Sequence, residues 1–198
     1  VKLLPGTSAA VVTGNLQSGG LLVDNQIGGN AIIGLNEAPT SYSDSELRHY
    51  RVKIGADGDD SVLGSGWNGP EEASDIPSDL KPDVHSARWT NGNAVLHMPV
   101  ISGDAYTLTL WLSSPPKTPV ESVSVDGVGG QQAKVGDLSV LTFKIPASAT
   151  TGKHDIDVHI TGGGWQPSVI QPPSQDTRTL GARVYAVEMR AAGLETPV

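Results

Sequence analysis

Apolar and polar side chains alternate every second residue along much of this chain, and this rhythm constrains the fold more than any other feature. In the segment 105–113, Leu108 and Leu110 share one face of an extended chain, whereas Thr107 and Thr109 share the other. Successive side chains of a β-strand point to opposite faces, so such a segment buries one face and leaves the other toward water. We therefore predict a strand here, in a sheet that is covered on one side.

The same alternation recurs along the chain and predicts the fold class. Gly-, Asn- and Pro-rich turns separate the alternating runs, as expected for strands joined by short connections. About ten such strands predict an all-β chain, an antiparallel β-sandwich or jelly roll. The predicted strands are 9–13, 21–24, 31–35, 50–55, 85–90, 94–99, 105–113, 120–126, 139–145, 154–161 and 182–190.

Two long segments, 57–84 and 162–180, show no strand pattern and are predicted as loops, which in a compact domain are often functional. Helix signals are weak and confined to 43–48 and 71–75. We predict a boundary near residue 45. Residues 1–45 would then form a hairpin-like appendage or extra strands, and residues 46–198 the sandwich domain.

Composition excludes several classes of function. The 198-residue chain carries a formal net charge of −8 and has no cluster of Lys and Arg, so neither nucleic acid nor an anionic membrane surface is an expected partner. It has no cysteine, which excludes disulfides, thiolate zinc sites and a cysteine nucleophile. No apolar run approaches the ~20 residues that cross a bilayer, so membrane insertion is not expected.

Short motifs occur in a fixed order along residues 50–189. They are YRVKIG (50–55), GWNGPE (66–71), RWT (88–90), AVLHMP (94–99), VSVDG (123–127), FKIP (143–146), WQPS (165–168) and DTRTLG (176–181). In this order they resemble a β-sandwich domain, akin to carbohydrate-binding modules, that accompanies bacterial glycoside hydrolases and other glycan-processing proteins. The resemblance implies a secreted or cell-surface location and a neighbouring catalytic domain in a longer chain. Some members of this group are structural companions rather than sugar binders.

Sugar rings stack on aromatic faces while polar side chains bind their hydroxyls, so the placement of the four tryptophans matters. Trp111 lies on the polar face of its strand and is a candidate platform, together with Asp155, Asp157 and His159. The alternative is that the N-terminal appendage covers Trp111. Trp165 lies in a Gly-rich loop, where it either contacts a sugar or packs over the end of the sandwich. We expect Trp67 and Trp89 to pack in the core.

Four charged residues lie within the family-like motifs: Glu71, Arg88, Asp176 and Arg178. A carboxylate and a guanidinium form a strong pair when their planar geometry is fixed. The four residues form either a polar sugar site at one end of the sandwich or ion pairs that hold the two long loops together.

Three aspartates lie close together in the first long loop: Asp57, Asp59 and Asp60. Calcium prefers clustered carboxylate oxygens, so these residues are candidate ligands of a structural calcium ion, although their spacing does not match an EF-hand. The alternative is a solvated turn. No other cofactor is expected.

Catalysis is the less favoured function. A glycosidase needs two carboxyl groups about 5–5.5 Å or about 6.5–9.5 Å apart, and Glu71 with Asp176 is a candidate pair. Nothing in the sequence marks either group as the proton donor. We therefore expect a non-catalytic carbohydrate-binding module with a polysaccharide or oligosaccharide partner. The alternative is a structural or interaction domain that supports a catalytic domain or a cell-surface assembly.

Overall fold

The computed structural model describes residues 44–81, 83–114, 121–132 and 138–193, together with four short strands nearer the N-terminus. The chain divides into two compact units, residues 1–41 and 42–198. The strands of the first unit are β1 (Lys2–Leu3), β2 (Ala10–Thr13), β3 (Asp24–Asn25) and β4 (Ala31–Gly34). Strands β1 and β3 pair in parallel, as do β2 and β4. A hairpin pairs antiparallel strands, so these strands form no hairpin. Residues 9, 21–23 and 35 of the predicted strands lie outside the described residues.

The described part of the second unit holds ten strands and only short helical turns. Its elements are α1 (Asp44–Leu47), β5 (His49–Lys53), a 3₁₀ helix (Asp59–Ser61), β6 (Trp67–Glu72), β7 (Ser86–Thr90), β8 (Asn93–Pro99), β9 (Tyr106–Ser113), β10 (Ser122–Val125), β11 (Gly129–Gln132), β12 (Leu138–Ile145), α2 (Ala147–Thr150), β13 (Asp155–Thr161), α3 (Pro167–Ile170) and β14 (Arg183–Ala191). The helix predicted at 71–75 is wrong, because residues 67–72 form strand β6.

The strands form two antiparallel sheets that enclose one core, which confirms the predicted β-sandwich. The six-stranded sheet has the order β12-β9-β14-β7-β6, and β5 pairs with β14 beside β7. The four-stranded sheet has the order β11-β10-β13-β8. Aliphatic side chains from the inner faces of both sheets fill the core, among them Leu108, Leu110, Val158 and Ile160. Burying such a side chain stabilises the fold by roughly 1.5–3 kcal/mol.

A change of register in β14 alters which of its residues reach the core. The pairing of β14 with β9 shifts between Val184 and Ala186, as at a β-bulge. A bulge adds a residue on one strand and changes the alternation beyond it. Val184 and Val187 therefore both belong to the sandwich core, whereas Tyr185 and Ala186 belong to a second cluster. Regular alternation along the predicted strand 182–190 would place Tyr185 and Val187 on one face, and the bulge separates them.

The second cluster lies on the outer face of the six-stranded sheet. We call residues 73–84 the covering loop; the structure describes all of them but residue 82. Its apolar side chains Ile76, Leu80 and Val84 pack with Trp111 and Tyr185. Part of the first predicted long loop thus forms strand β6, and the rest is a packed layer over the sheet.

Candidate functional site

Trp111 points away from the sandwich core, as its strand pattern predicted, but it is not exposed. Only 6% of the residue is accessible, because the covering loop packs over it. Its Nε1 donates a 2.6 Å hydrogen bond to Asp79 Oδ2 in that loop, and the Arg51 guanidinium lies 5.2 Å from its ring centroid. The expectation of an open stacking platform is therefore wrong. Alternation predicts which face a side chain occupies, but not whether a later segment covers that face.

Trp165 is also buried, with 6% of the residue accessible. Its backbone forms a bridge with Leu180, and its Nε1 lies 3.4 Å from the carbonyl oxygen of Gly181, to which it donates. Its ring meets the Trp89 ring nearly edge to face, with 5.8 Å between centroids. Of the two interpretations of this loop tryptophan, packing agrees with the structure and an exposed sugar contact does not.

Trp89, which we expected in the core, lies half-buried beside charged groups. Strand β7 places its indole so that Nε1 donates to Glu71 Oε2 at 3.1 Å. The Arg183 guanidinium lies 5.5 Å from its ring centroid, within the range of a cation–π contact. Trp67 is half-buried too, but it packs against the sandwich core and donates to the carbonyl oxygen of Val95 at 2.9 Å.

Three of the four predicted charged residues meet next to Trp89. Arg178 Nη2 lies 2.7 Å from Glu71 Oε1 and also 2.7 Å from Asp176 Oδ2. The backbone N–H of Arg178 donates to Asp176 Oδ1 at 2.9 Å. Glu71 lies near the end of strand β6, whereas Asp176 and Arg178 lie in the second long segment, so the network joins the strand to that segment. We call Trp89, Glu71, Asp176 and Arg178 the Trp89 site.

The charges of the Trp89 site stabilise one another. Hydrogen bonds from the side chain and the backbone of Arg178 lower the pKa of Asp176 below its ordinary value. Hydrogen bonds to Asp176 and Glu71 raise the pKa of Arg178. Asp176 is therefore a carboxylate at neutral pH, an acceptor rather than a proton donor.

Arg88 does not join this network, which corrects the predicted set of four. Arg88 Nε donates to Asp59 Oδ2 at 2.7 Å, and Nη2 donates to Asp59 Oδ1 at 2.9 Å. Strand β7 alternates, so Arg88 and Trp89 project from opposite faces. The pair is largely removed from solvent, since only 2% of Asp59 is accessible.

The predicted calcium site at Asp57, Asp59 and Asp60 does not form. Both carboxylate oxygens of Asp59 accept hydrogen bonds from Arg88, and Oδ2 also accepts one from the backbone N–H of Gly55 at 2.6 Å. The Arg88 guanidinium therefore already neutralises the Asp59 carboxylate. The three aspartates are not among the described residues whose ligand atoms converge.

Asp155, Asp157 and His159 lie on the outer face of the four-stranded sheet, whereas Trp111 belongs to the other sheet, so the structure does not bring them together. Asp157 Oδ1 lies 2.7 Å from His97 Nδ1, and His159 Nε2 lies 3.3 Å from Asp126 Oδ1. The ligand atoms of Asp126, Asp157 and His159 lie within 4.8 Å of one another. These half-buried groups have mutual partners, and their role in binding stays a prediction.

Sequence reasoning missed Trp89 and Arg183 as site residues. Both lie in strands with mixed alternation, where Trp89 follows a charged residue and Arg183 opens β14. Arg183 Nη1 contacts Asp75 Oδ1 at 2.8 Å, and this aspartate begins the covering loop. The charged neighbour Arg88 was the only local signal at Trp89 in the sequence.

No protein-family model matches the chain, and no curated protein matches it. Solved structures resemble it in fold. The ANX1 ectodomain from Arabidopsis thaliana has 13% sequence identity and a TM-score of 0.48, over 73% of this chain and 41% of that chain. A chain in the structure of plant peptide RALF23 in complex with FER and LLG2 has 14% identity and a TM-score of 0.48, over 72% and 48%.

The C-terminal CBM6 of LamC, a marine laminarinase from Zobellia galactanivorans, has 9% identity and a TM-score of 0.39, over 72% of this chain and 98% of that chain. This chain spans less than half of the two plant chains. At these identities the likeness concerns the β-sandwich fold alone. Within the described residues, no helix is long and apolar enough to span a bilayer.

Proposed function

We propose that this chain is a non-catalytic domain that binds a polysaccharide or oligosaccharide at the Trp89 site. The observation that carries the proposal is a half-buried indole in contact with a network of partly exposed carboxylates and a guanidinium. An indole supplies apolar area for the C–H face of a sugar ring. The carboxylates of Glu71 and Asp176 accept hydrogen bonds from sugar hydroxyls, and Arg178 donates them.

The network of ion pairs and hydrogen bonds around Arg178 also lowers the entropic cost of binding a ligand. Side chains that are fixed before a ligand arrives lose less conformational entropy when it binds. Arg178 is held by Asp176 through both its side chain and its backbone N–H. The described contacts of Arg178 use Nε and Nη2, which leaves Nη1 to donate to a ligand oxygen.

The carboxyl chemistry of the site favours binding over glycoside hydrolysis. A glycosidase needs one carboxylic acid with a raised pKa to protonate the leaving oxygen. At the Trp89 site, hydrogen bonds from Arg178 lower the pKa of Asp176 instead. Glu71 and Asp176 also share one guanidinium, that of Arg178.

Affinity gel electrophoresis tests the proposal, with gels that contain galactan, xylan, mannan or mixed-linkage β-glucan. We expect at least one polymer to retard the wild-type chain. Trp89→Ala and Arg178→Ala should each weaken that retardation about tenfold, equivalent to about 1.4 kcal/mol. Val169→Ala, at an exposed position of α3, should match the wild type. Unchanged retardation in a folded Trp89→Ala chain would contradict the assignment of the site.

The alternative function is a structural or interaction domain, and one observation favours it. Trp111 and Trp165, the two tryptophans considered as sugar contacts, are both buried. In this case Glu71, Asp176 and Arg178 would only hold the two long segments together. Arg178→Ala would then lower the melting temperature, and no polymer would retard any variant.

A location outside the cell, and a neighbouring catalytic domain in a longer chain, complete the proposal. Both follow from the motif resemblance. The test compares the activity of the neighbouring catalytic domain with and without this chain attached.

A further inference from the structure

The outer face of the six-stranded sheet is divided into two halves. The covering loop packs on the half that holds Trp111 and Tyr185. The other half lies toward the end of β14, where β12, β9, β14 and β5 are neighbours. There, the strand register aligns Lys144 with Thr107, Thr107 with Arg190, and Arg190 with His49. This row crosses four strands and is about 14 Å long at ordinary strand spacing.

A second row runs beside the first and carries one acidic group. It aligns Thr142, Thr109, Glu188 and Arg51. Glu188 accepts hydrogen bonds from Arg51 Nε at 2.8 Å and from Arg190 Nη2 at 3.0 Å. Burial acts to raise the pKa of Glu188, but the hydrogen bonds from Arg51, Arg190 and His49 outweigh it, so the pKa is lowered. Glu188 is thus a buried anion that fixes the cations around it.

Positive charge exceeds negative charge on this half of the face. Lys53 is exposed on the next row of β5, which aligns with Ala186 at the border of the covered half, and it adds a fourth basic side chain to Arg51, Arg190 and Lys144. Arg51 and Arg190 pair with the carboxylate of Glu188, on a chain whose formal net charge is −8. We call Lys53, Arg51, Arg190 and Lys144 the basic face. Asp79 borders it at the Trp111 end, where it is hydrogen-bonded to the indole.

A cavity adjoins the basic face. It has a volume of about 470 Å³, and Thr107, Lys144 and Arg190 form part of its wall. Lys144 Nζ donates to Thr107 Oγ1 at 2.9 Å, so the ammonium group is held at the cavity. The combination of fixed cations, threonine hydroxyls and an open depression suits a ligand that carries both anionic groups and hydroxyls.

We propose that the basic face binds an anionic polysaccharide, a polyuronate whose carboxylates contact the lysines and arginines while its hydroxyls contact the threonines. This inference rests on the proposed carbohydrate function and adds a second site, on the other half of the sheet face, that selects for charge. Complementary charge speeds association and sets specificity, and its contribution falls as salt screens it.

Binding of polygalacturonate tests the inference, with neutral galactan as the uncharged comparison and poly-glutamate as an anionic peptide. We expect titration calorimetry in 20 mM NaCl to show polygalacturonate binding more tightly than either. Raising the salt to 300 mM should weaken that binding severalfold. The double variant K53Q/K144Q keeps every hydrogen bond of Glu188, and it should weaken polygalacturonate binding about fivefold.

The matched control is K81Q/K153Q, which removes two lysines from other surfaces and should bind polygalacturonate as the wild type does. If K53Q/K144Q also matches the wild type, or if poly-glutamate binds as tightly as polygalacturonate, the inference is overturned. The Trp89→Ala variant distinguishes a failure of the basic-face inference from a failure of the proposed function at the Trp89 site. If neutral polymers bind in a way that depends on Trp89, but K53Q/K144Q binds polygalacturonate as the wild type does, the basic-face site is contradicted and the Trp89 site is not.

Discussion

Among single residues, Glu121 is the one whose environment fits its charge least. None of its surface is accessible, and neither carboxyl oxygen has a hydrogen-bond partner among the residues that the structure describes. The carboxyl group lies against Gly162, where an added Cβ would come within 2.1 Å of Oε2. Burial raises the pKa of Glu121 to about 7, and no charged neighbour contributes to the shift. A buried ion without a partner is costly, so the neutral acid is the form that fits.

This environment predicts a pH-dependent stability. The pKa of Glu121 is about 7 in the folded chain against 4.5 for an unperturbed glutamate, so the folded state holds the proton more tightly. Below 4.5 both states are protonated, and Glu121 contributes no pH dependence. As pH rises from 4.5 through 7, the wild type loses up to about 3 kcal/mol of unfolding free energy.

Glu121→Gln keeps the shape and cannot ionise, so this loss should be absent from the variant. Urea unfolding of both chains at pH 4.5, 6 and 8 measures the difference, and the gain of the variant over the wild type should grow with pH. A gain of constant size across the three pH values would show that Glu121 does not titrate in this range.

At the scale of elements, alternation predicted the strands that have one apolar face, and it failed where that signal is absent. Strand β9 matches its prediction because Tyr106, Leu108 and Leu110 repeat every second residue. Strand β11 was missed because its residues are Gly, Gly, Gln and Gln, and all of them are exposed. Strand β6 was missed because Gly69 and Pro70 interrupt it at a register shift. Backbone hydrogen bonds to a neighbouring strand hold such a strand in the sheet without an alternating side-chain pattern.

The covering loop shows the same limit for the candidate site. Its apolar residues Ile76, Leu80 and Val84 are spaced by four residues rather than by two, so no strand pattern in the sequence showed that they pack on Trp111. Glu71, Asp176 and Arg178 could be selected from the sequence as charges within ordered motifs. Their convergence on Trp89 depends on long-range pairing, which one sequence does not reveal.

Leu80 tests whether the covering loop is part of the folded layer. Its side chain is fully buried between the loop and the outer sheet face. Leu80→Ala should therefore lower the unfolding free energy by about 2–4 kcal/mol, as in a core position. The neighbouring exposed residue supplies the control, since Lys81→Ala should change it by less than about 0.5 kcal/mol. Urea unfolding that shows equal, small losses for both would mean that the loop only rests on the sheet.

At the scale of the whole molecule, we assign different roles to the two halves of the outer face of the six-stranded sheet. The covering loop closes the half around Trp111, and the Trp89 site lies near it, where β6 and β7 meet the second long segment. The uncovered half presents the basic face. Both surfaces depend on the alternation of the sequence, which places side chains of β9, β14 and β5 on the outer face of the sheet. The fold class was therefore predictable, whereas the division of its surface was not.

The indole N–H signals of the four tryptophans test the central claim most directly. In a two-dimensional ¹H–¹⁵N spectrum, assigned with single Trp→Phe variants, each tryptophan gives one such signal. During titration with oligosaccharides of galactan, xylan, mannan or β-glucan, the Trp89 signal should shift while those of Trp111 and Trp165 stay in place. Movement of the Trp111 or Trp165 signal with a stationary Trp89 signal, or no movement under any titration, would contradict the account.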